Sequence, residues 1–418
     1  MRFEDVILWH VYPLGFTGAE RENPLGAPVQ HRLPQLEHWL DHLIALGANG
    51  LQLGPVFDSE THGYDTRDHL GIDPRLGDEG DLLSLVAAAH DHGVKVVLDG
   101  VFNHVGRSFP RFVAAEAGDE EAARWFVRSG DGWADFEGHS SLVLLNHDEP
   151  AVLDHVVTVM RYWLDRGADG WRLDAAYAVP TAFWRRVATE VHASHPHAWL
   201  LGEVIHGDYV ELVQESGLDS VTQYELWKAI WSGLNERNLW ELAWSLGRHR
   251  DMAESFLPAT FVGNHDTTRI ASKLIDDRHL VHALTVLFTV AGTPVVYAGD
   301  EEGFRGVKED RAGGDDAVRP RFPDDPSGLP SDGEPILRLH QRLISLRRRK
   351  RWLATARYEQ LQVENDVLVY RMTARDGSDA VTVALNVGDA PLDLEPQPGE
   401  HVLEGGTGPH QAAILGRD

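Results

Sequence analysis

Residues 94–101 read Val94-Lys95-Val96-Val97-Leu98-Asp99-Gly100-Val101, an apolar run of strand length that ends in an acidic residue and a glycine. Short apolar runs of this kind recur along the chain. Between them lie helix-length segments whose apolar residues are three or four positions apart. The other runs are Val6–Val11, Gly50–Val56, Ala168–Leu173, Ala198–Leu201, Thr260–Val262 and Pro294–Tyr297, with a weaker one near Asp219–Thr222.

This alternation indicates the fold class. Strands that are apolar throughout and separated by helices are covered on both faces and pair in parallel. About eight such strands over about 340 residues predict an α/β fold of the (β/α)8 TIM barrel type. A doubly wound open sheet is the alternative that the same alternation permits.

Two changes of pattern divide the chain. The interval 104–145 is long and irregular, which predicts a short inserted subdomain after the third strand, over the C-terminal face of the barrel. Beyond Lys350, short β-branched runs predict a small all-β domain over residues 351–418. Residues 1–103 and 146–350 are therefore assigned to the barrel. The Gly- and Pro-rich stretch 305–335 is predicted to be a long surface loop.

Composition excludes several classes of partner. The 418 residues include 38 Lys and Arg against 65 Asp and Glu, a net charge of −27. This charge repels phosphate, so nucleic acid and anionic membranes are not expected as partners. The absence of cysteine excludes disulfides, thiolate metal sites and a cysteine nucleophile. Without an export signal or an apolar stretch of about 18 residues, a cytoplasmic location is expected.

Carboxylates follow four of the predicted strands. In a parallel barrel the carboxyl ends of all strands meet at one rim, where reactive groups collect. A single acidic residue at such a place is often only a helix cap, but four on one rim indicate a site. The residues are Asp99 with Asn103 and His104, Arg172 with Asp174, Glu203, and Asn264-His265-Asp266.

These groups suit glycoside hydrolysis, which needs a carboxyl group that protonates the leaving oxygen and a second that attacks or activates water. Arg172 lies two residues before Asp174, so both side chains point to one face of the strand and the guanidinium can keep the carboxylate ionised. Asp174 is therefore predicted to be the nucleophile and Glu203 the general acid/base. His104 and His265 can donate hydrogen bonds to sugar hydroxyls.

Taken together and in this order, these blocks resemble the signature of the α-amylase clan of retaining glycoside hydrolases over about 350 residues. The resemblance implies that Asp174 is the nucleophile, Glu203 the acid/base and Asp266 the transition-state stabiliser. It also implies that Tyr64 stacks under the reacting sugar, and that Asp65 and Arg269 form a pair closing the non-reducing side. The remaining substrate-binding residues that it implies are Asp99, Asn103, His104, Arg172 and His265.

Within the clan, Gln223-Tyr-Glu-Leu-Trp and the short insertion resemble the cyclomaltodextrinase, neopullulanase and maltogenic amylase branch, without its N-terminal β-domain. The resemblance implies a neutral α-glucan substrate, either a cyclodextrin-like ring, such as cyclic maltosyl-maltose, or a short malto-oligosaccharide. Tyr177-Ala178 and Val204-Ile205 depart from the branch on the leaving-group side, so acceptor preference cannot be inherited.

Several alternatives stay open. A transglycosidase of the same clan would carry the same carboxylates, and a catalytically inactive barrel serving as an interaction subunit is a further alternative. No cofactor and no metal are expected, although a calcium site like that of larger amylases is left open. A homo-oligomer is also compatible with the sequence.

Overall fold

The computed structural model describes residues 3–311 and 313–417. Its centre is a sheet of eight parallel strands, and each of the predicted runs overlaps one of them. The strands are Leu8–Val11 (β1), Gly50–Leu53 (β2), Lys95–Gly100 (β3), Gly170–Leu173 (β4), Trp199–Gly202 (β5), Ser220–Val221 (β6), Ala259–Phe261 (β7) and Thr293–Tyr297 (β8).

The sheet closes into a barrel. From β1 to β6 each strand pairs in parallel with the next, β7 pairs with β8, and β8 pairs with β1. A parallel bridge between Thr222 and Ala259 joins β6 to β7 and completes the ring. The prediction of a TIM barrel is therefore confirmed, and the doubly wound alternative is wrong. Large apolar side chains fill the interior, among them Leu8, Val97, Trp199, Leu201, Phe261 and Val295.

Helices cover the outside of the barrel, and local sequence fixes their ends. Asp78 and Asp81 form a reciprocal capping box at the start of one helix, and Gly47 ends another with a left-handed φ of 96°. The α-helices are Pro13–Phe16, Pro34–Glu37, Leu40–Leu46, Glu79–Asp91, Pro110–Glu116, Glu120–Ala123, Pro150–Leu164, Thr181–Ser194, Tyr209–Ser216, Tyr224–Glu236, Leu239–Ala253, Ile270–Lys273, Leu280–Thr289 and Glu334–Arg349.

Small antiparallel sheets extend the loops above the barrel. Between β3 and the helix Pro150–Leu164, three strands pair antiparallel, and a two-stranded hairpin lies between them in sequence. The three are His104–Gly106, Asp135–Phe136 and His139–Leu144, and the hairpin pairs Arg128–Ser129 with Gly132–Trp133. After β2, Phe57–Ser59 pairs with Thr66–Ile72. The segment 104–145 thus has its own secondary structure over the rim.

A five-stranded antiparallel sheet follows the last helix, as predicted. Its strands are Arg357–Val363 (β9), Val367–Thr373 (β10), Ala380–Asn386 (β11), His401–Gly405 (β12) and Gln411–Gly416 (β13), in the order β9-β10-β11-β13-β12. Tyr370 hydrogen-bonds Thr289 of the barrel at 2.7 Å, and Lys350 donates to Asp379 at 2.9 Å. Buried polar contacts therefore fasten the sheet to the barrel.

The described residues of the segment 305–335 have more regular structure than the predicted surface loop. It contains the 3-10 turns Asp316–Val318, Pro326–Gly328 and Ser331–Gly333. Val318 and Phe322 are buried, and the Phe322 ring stacks on Phe16 with centroids 4.3 Å apart. These apolar anchors fix the segment against the rim. In the part of the chain that the structure describes, no helix has the length and apolar character needed to cross a membrane.

Candidate active site

A cavity of about 740 Å³ opens at the carboxyl ends of the barrel strands. The side chains that follow β4, β5 and β7 reach it, because the parallel strands all end at this face. The carboxylates of Asp174, Glu203 and Asp266 line the cavity. The structure therefore brings the three predicted catalytic carboxylates into one compartment.

Arg172 of β4 lies behind the cavity wall and joins three carboxylates. Its Nη1 donates to both Asp99 oxygens and to Asp174 Oδ1, each at 2.9 Å. Its Nη2 lies 2.6 Å from Glu203 Oε1. Arg172 and Asp99 are almost fully buried, so water screens these ion pairs weakly. One guanidinium thereby orients both the predicted nucleophile and the predicted acid/base.

The charges of this cluster do not balance, since one guanidinium faces three carboxylates. Burial raises the pKa of Asp174 well above its usual value, and Arg172 only partly offsets this, while Glu203 and Asp99 add to it. Burial likewise raises the pKa of Asp99. Arg172 thus favours the ionised form of Asp174, while burial and the neighbouring carboxylates oppose it. Asp174 and Asp99 are coupled through Arg172, so the protonation of one carboxyl group depends on that of the other.

The surroundings of Asp266 lower its pKa, whereas those of Asp174 raise it. His265 Nε2 lies 2.9 Å from its Oδ2, and Arg319 Nη2 donates to its Oδ1 at 2.5 Å. Although burial opposes ionisation, the charges of His265 and Arg319 hold the pKa of Asp266 well below its usual range. Its backbone N–H donates to Asn264 Oδ1 at 2.9 Å, which fixes the loop. His265 and Arg319 therefore favour the ionised form of Asp266 in the cavity.

Aromatic rings form one wall. Tyr64 and His265 stack with centroids 5.6 Å apart, and His265 stacks on Tyr12 at 5.8 Å. The Tyr64 hydroxyl contacts His265 Nε2, and it donates to Asp99 Oδ2 at 3.3 Å. Tyr64 and Tyr12 line the cavity, whereas His265 lies between them. Tyr64 can therefore present a flat apolar surface to a ligand.

The insertion contributes the opposite wall. His104 lines the cavity, and its ring stacks on Phe136 with centroids 4.8 Å apart. Its Nε2 is buried and has no hydrogen-bond partner among the described residues. Burial lowers the pKa of His104 to about 3, so the ring is neutral. Asn103 is buried beside it, with its Nδ2 3.1 Å from His104 Nδ1.

Two further contacts frame Glu203. The Tyr224 hydroxyl donates to Glu203 Oε1 at 3.3 Å, and the backbone N–H of Ala175 donates to Oε2 at 3.0 Å. Ala175 has a left-handed φ of 45°, which costs a non-glycine residue about 1–2 kcal/mol. Strained backbone of this kind collects at functional sites. Here it directs the amide that follows Asp174 toward the neighbouring carboxylate.

The predicted pair of Asp65 and Arg269 is not formed. Arg269 is fully buried and donates to Asp300 at 2.7 Å and to the Ala298 carbonyl at 3.0 Å. Asp65 instead accepts from the backbone N–H of Thr61 at 3.0 Å. Arg269 turns inward because a buried carboxylate after β8 pairs with it. Neither residue lines the cavity.

Four other predicted residues also lie behind the cavity wall and contact the residues that line it: Asp99, Asn103, Arg172 and His265.

Sequence reasoning missed Tyr12, Arg319 and Glu137, which line the cavity. The Arg319 guanidinium lies 4.5 Å from the Tyr12 ring centroid, and Tyr177 donates to Glu137 at 2.8 Å. Tyr12 directly follows β1, a position that could have drawn attention to it. Arg319 and Glu137 belong to irregular segments that give no such signal.

Comparison with known proteins identifies the family. The alpha amylase catalytic-domain family matches residues 35–327, more than half of the chain. The chain belongs to the alpha-amylase family. A cyclomaltodextrinase from a Bacillus species is 30% identical over 448 residues, covering 99% of this chain and 76% of the relative. A maltogenic alpha-amylase from Bacillus acidopullulyticus is 31% identical over 337 residues, covering 73% of this chain and 57% of the relative.

One solved structure of this fold is similar to the chain over almost its entire length. The ligand-free cyclic alpha-maltosyl-(1→6)-maltose hydrolase of Arthrobacter globiformis superposes with a TM-score of 0.84 at 25% identity, covering 99% of this chain and 98% of that chain. The predicted clan and branch are therefore confirmed. The chain spans between about half and three quarters of the curated relatives described above.

Proposed function

We propose that this alpha-amylase family member hydrolyses α-glucosidic bonds in cyclic or short malto-oligosaccharides with retention of anomeric configuration. The observation that carries the proposal is the single guanidinium of Arg172, which holds Asp174 and Glu203 beside each other in the cavity. Two carboxyl groups are the minimum that the reaction needs. Asp266, whose ionised form His265 and Arg319 favour, is the third carboxyl group.

Strand register supports retention. Leu173 of β4 pairs with Gly202 of β5, so Asp174 and Glu203 are the next residues on adjacent strands. Adjacent strands lie about 4.8 Å apart. Retaining enzymes separate their carboxyl groups by about 5 to 5.5 Å, and inverting enzymes by about 6.5 to 9.5 Å. Arg172 also contacts both side chains, so the two carboxyl groups are held close together, which favours direct attack by Asp174 over activation of a water molecule.

The proposed reaction has two steps. Glu203 gives its proton to the glycosidic oxygen while an oxygen of Asp174 forms a bond to the anomeric carbon, and the bond to the leaving group breaks. Glu203 then takes a proton from water as the water oxygen replaces Asp174 on that carbon. Tyr224 and the Ala175 amide steady Glu203 in both steps. The anion of Asp266 favours the positive charge that develops on the sugar ring.

The binding walls support a neutral sugar substrate. Tyr64 and Phe136 offer apolar ring faces, and the unpartnered Nε2 of His104 can hydrogen-bond a hydroxyl. Segments 136–142 and 308–321 both reach the cavity, so the substrate is held between two irregular walls. Two similar proteins are named for cyclic substrates, a cyclomaltodextrinase and a cyclic maltosyl-maltose hydrolase.

Transfer to a second sugar is the other candidate activity. Tyr177 and Ile205 line the cavity near Glu203, and Ile205 is 38% exposed. An exposed apolar side chain there can bind a sugar ring as acceptor in place of water.

A cytoplasmic location, a homo-oligomeric state and the domain boundaries at residues 103, 145 and 350 stay predictions.

Initial rates on cyclodextrins, cyclic maltosyl-maltose, maltotriose, pullulan and soluble starch test the proposal in parallel. We expect the rings and the short oligomer to react fastest, and Asp174→Asn to abolish every rate. A preference for starch would contradict the substrate class. Transfer products at high sugar concentration without hydrolysis would establish the transglycosidase instead.

A further inference from the structure

A second cluster of polar side chains lies away from the cavity, where the barrel meets the C-terminal sheet. Asp276 and His279 belong to the turn that precedes the helix Leu280–Thr289, and His410 belongs to the loop between β12 and β13. Each residue offers one ligand atom, and these three atoms lie within 4.8 Å of one another. Their types, two imidazoles and a carboxylate, are those of Zn²⁺ and similar ions.

The three ligand atoms are close enough together to contact one ion. His279 Nε2 lies 3.0 Å from His410 Nδ1 and 4.0 Å from Asp276 Oδ2. Both histidines are buried, with His279 only 2% exposed, whereas Asp276 is partly exposed. The buried imidazoles therefore form the inner side of the cluster, and the side at Asp276 opens to solvent.

We propose that Asp276, His279 and His410 form a binding site for a divalent transition metal of the Zn²⁺ class, which clamps the C-terminal sheet to the barrel. Asp276 and His279 come from the barrel and His410 from the sheet, so a bound ion links the two. The fourth position faces solvent and takes a water molecule.

The surroundings of His410 support a ligand role. Its Nε2 lies 2.8 Å from Asp389 Oδ1. An imidazole that donates one N–H to a carboxylate presents the lone pair of its other nitrogen, as metal-bound histidines do. In this case the other nitrogen is Nδ1, which faces His279. His410 also has a left-handed φ of 54°, a strained conformation that the loop maintains.

Metal binding requires small movements. With metal–nitrogen distances of about 2.05 Å, the present separation corresponds to an angle of about 94° at the metal, and a tetrahedral angle needs about 0.3 Å more. Asp276 must also release Arg278, whose Nη2 donates to it at 2.6 Å. Arg278 is exposed and can turn into solvent. Arg237, which pairs with Asp389 at 3.2 Å, opposes the ion, while Asp276 and Asp389 favour it.

Titration of the metal-free full chain with Zn²⁺, followed by calorimetry, tests the site, with Co²⁺ absorption as the probe of coordination. We expect one equivalent to bind, the melting temperature to rise, and the affinity to fall at least about tenfold in His410→Asn or Asp276→Asn, because each loses one of three ligands. Asparagine tolerates the left-handed φ at 410 and can still cap the turn at 276.

His31→Gln is the matched control, because His31, Asp78 and Asp81 form the other group of possible ligands in the described part of the chain. This variant should bind Zn²⁺ as the unaltered chain does. No binding by the unaltered chain, or binding that only His31→Gln removes, would overturn the proposal. If His410→Asn does not fold, Asp276→Asn decides, since it keeps the contact between the two imidazoles.

Discussion

At the residue scale, the proposed role of Glu203 as general acid can be tested by substitution. Glu203→Gln keeps the size of the side chain but cannot act as the general acid, and its amide group can accept only one of the hydrogen bonds from Tyr224 and Ala175. We expect hydrolysis of maltotriose to fall about 10²- to 10⁴-fold. An aryl glucoside with a good leaving group needs little protonation, so the first step on that substrate should fall far less.

Burst kinetics on the aryl substrate measure this first step. Glu359→Gln, an exposed position on β9, is the control and should leave both rates unchanged. An equal loss on both substrates would argue against Glu203 as the proton donor.

His104 makes a second prediction at this scale, because its Nε2 is buried without a partner. His104→Phe keeps a ring against Phe136 and removes both ring nitrogens, Nε2 and the Nδ1 that lies beside Asn103. We expect kcat/KM to fall about 10- to 100-fold, the cost of one lost hydrogen bond to substrate, while the melting temperature stays within a few degrees. Unchanged kcat/KM would mean that His104 contacts no substrate.

At the scale of elements, the barrel depends on close approach between β4 and β5. A Cβ at Gly170 would lie 2.4 Å from the Trp199 carbonyl oxygen, and neither strand can move without disturbing Asp174 or Glu203. Gly170→Ala should therefore destabilise the protein by about 1–3 kcal/mol. The midpoint of urea unfolding measures this change.

Gly247 provides the matched control. It lies inside the helix Leu239–Ala253, and a Cβ there would meet nothing within 4 Å. Gly247→Ala should be neutral or stabilising by up to about 1 kcal/mol, because alanine is the better helix former. Equal effects of the two substitutions would show that the barrel seam is not the tight contact described here.

Element prediction succeeded where the sequence is periodic. All eight barrel strands lie at the predicted runs, since burial on both faces requires unbroken apolar sequence. The structure of the segment 305–335 was harder to predict, because it depends on the packing of Val318 and Phe322 against distant parts of the barrel. Arg319 lies in the same segment, so its contact with Asp266 could not be predicted from the sequence either. The pairing of Arg269 with Asp300 depends likewise on tertiary contacts.

At the scale of the whole molecule, stability should depend on pH through Glu302, which follows β8. Burial raises its pKa to about 7, with the charge of Glu301 adding to the effect. Because this pKa exceeds the unfolded value of about 4.3, the stabilising contribution is full below pH 4.3 and is lost as the pH rises through 7.

Glu302→Gln removes this titration, so its advantage in melting temperature over the unaltered chain should be larger at pH 8 than at pH 5. Melting curves across this range give the comparison, with Glu359→Gln as the control. A difference that does not vary with pH would rule out the raised pKa.

The proposed mechanism of the catalytic centre requires that Asp174 forms a covalent bond to the sugar. Incubation with a 5-fluoro-α-glucosyl fluoride, followed by mass spectrometry of peptic fragments, tests it most directly. We expect one glycosyl group per chain, attached to the peptide that contains Asp174 and absent in Asp174→Asn. A label on another carboxylate, or hydrolysis that inverts the anomeric centre without any label, would contradict it.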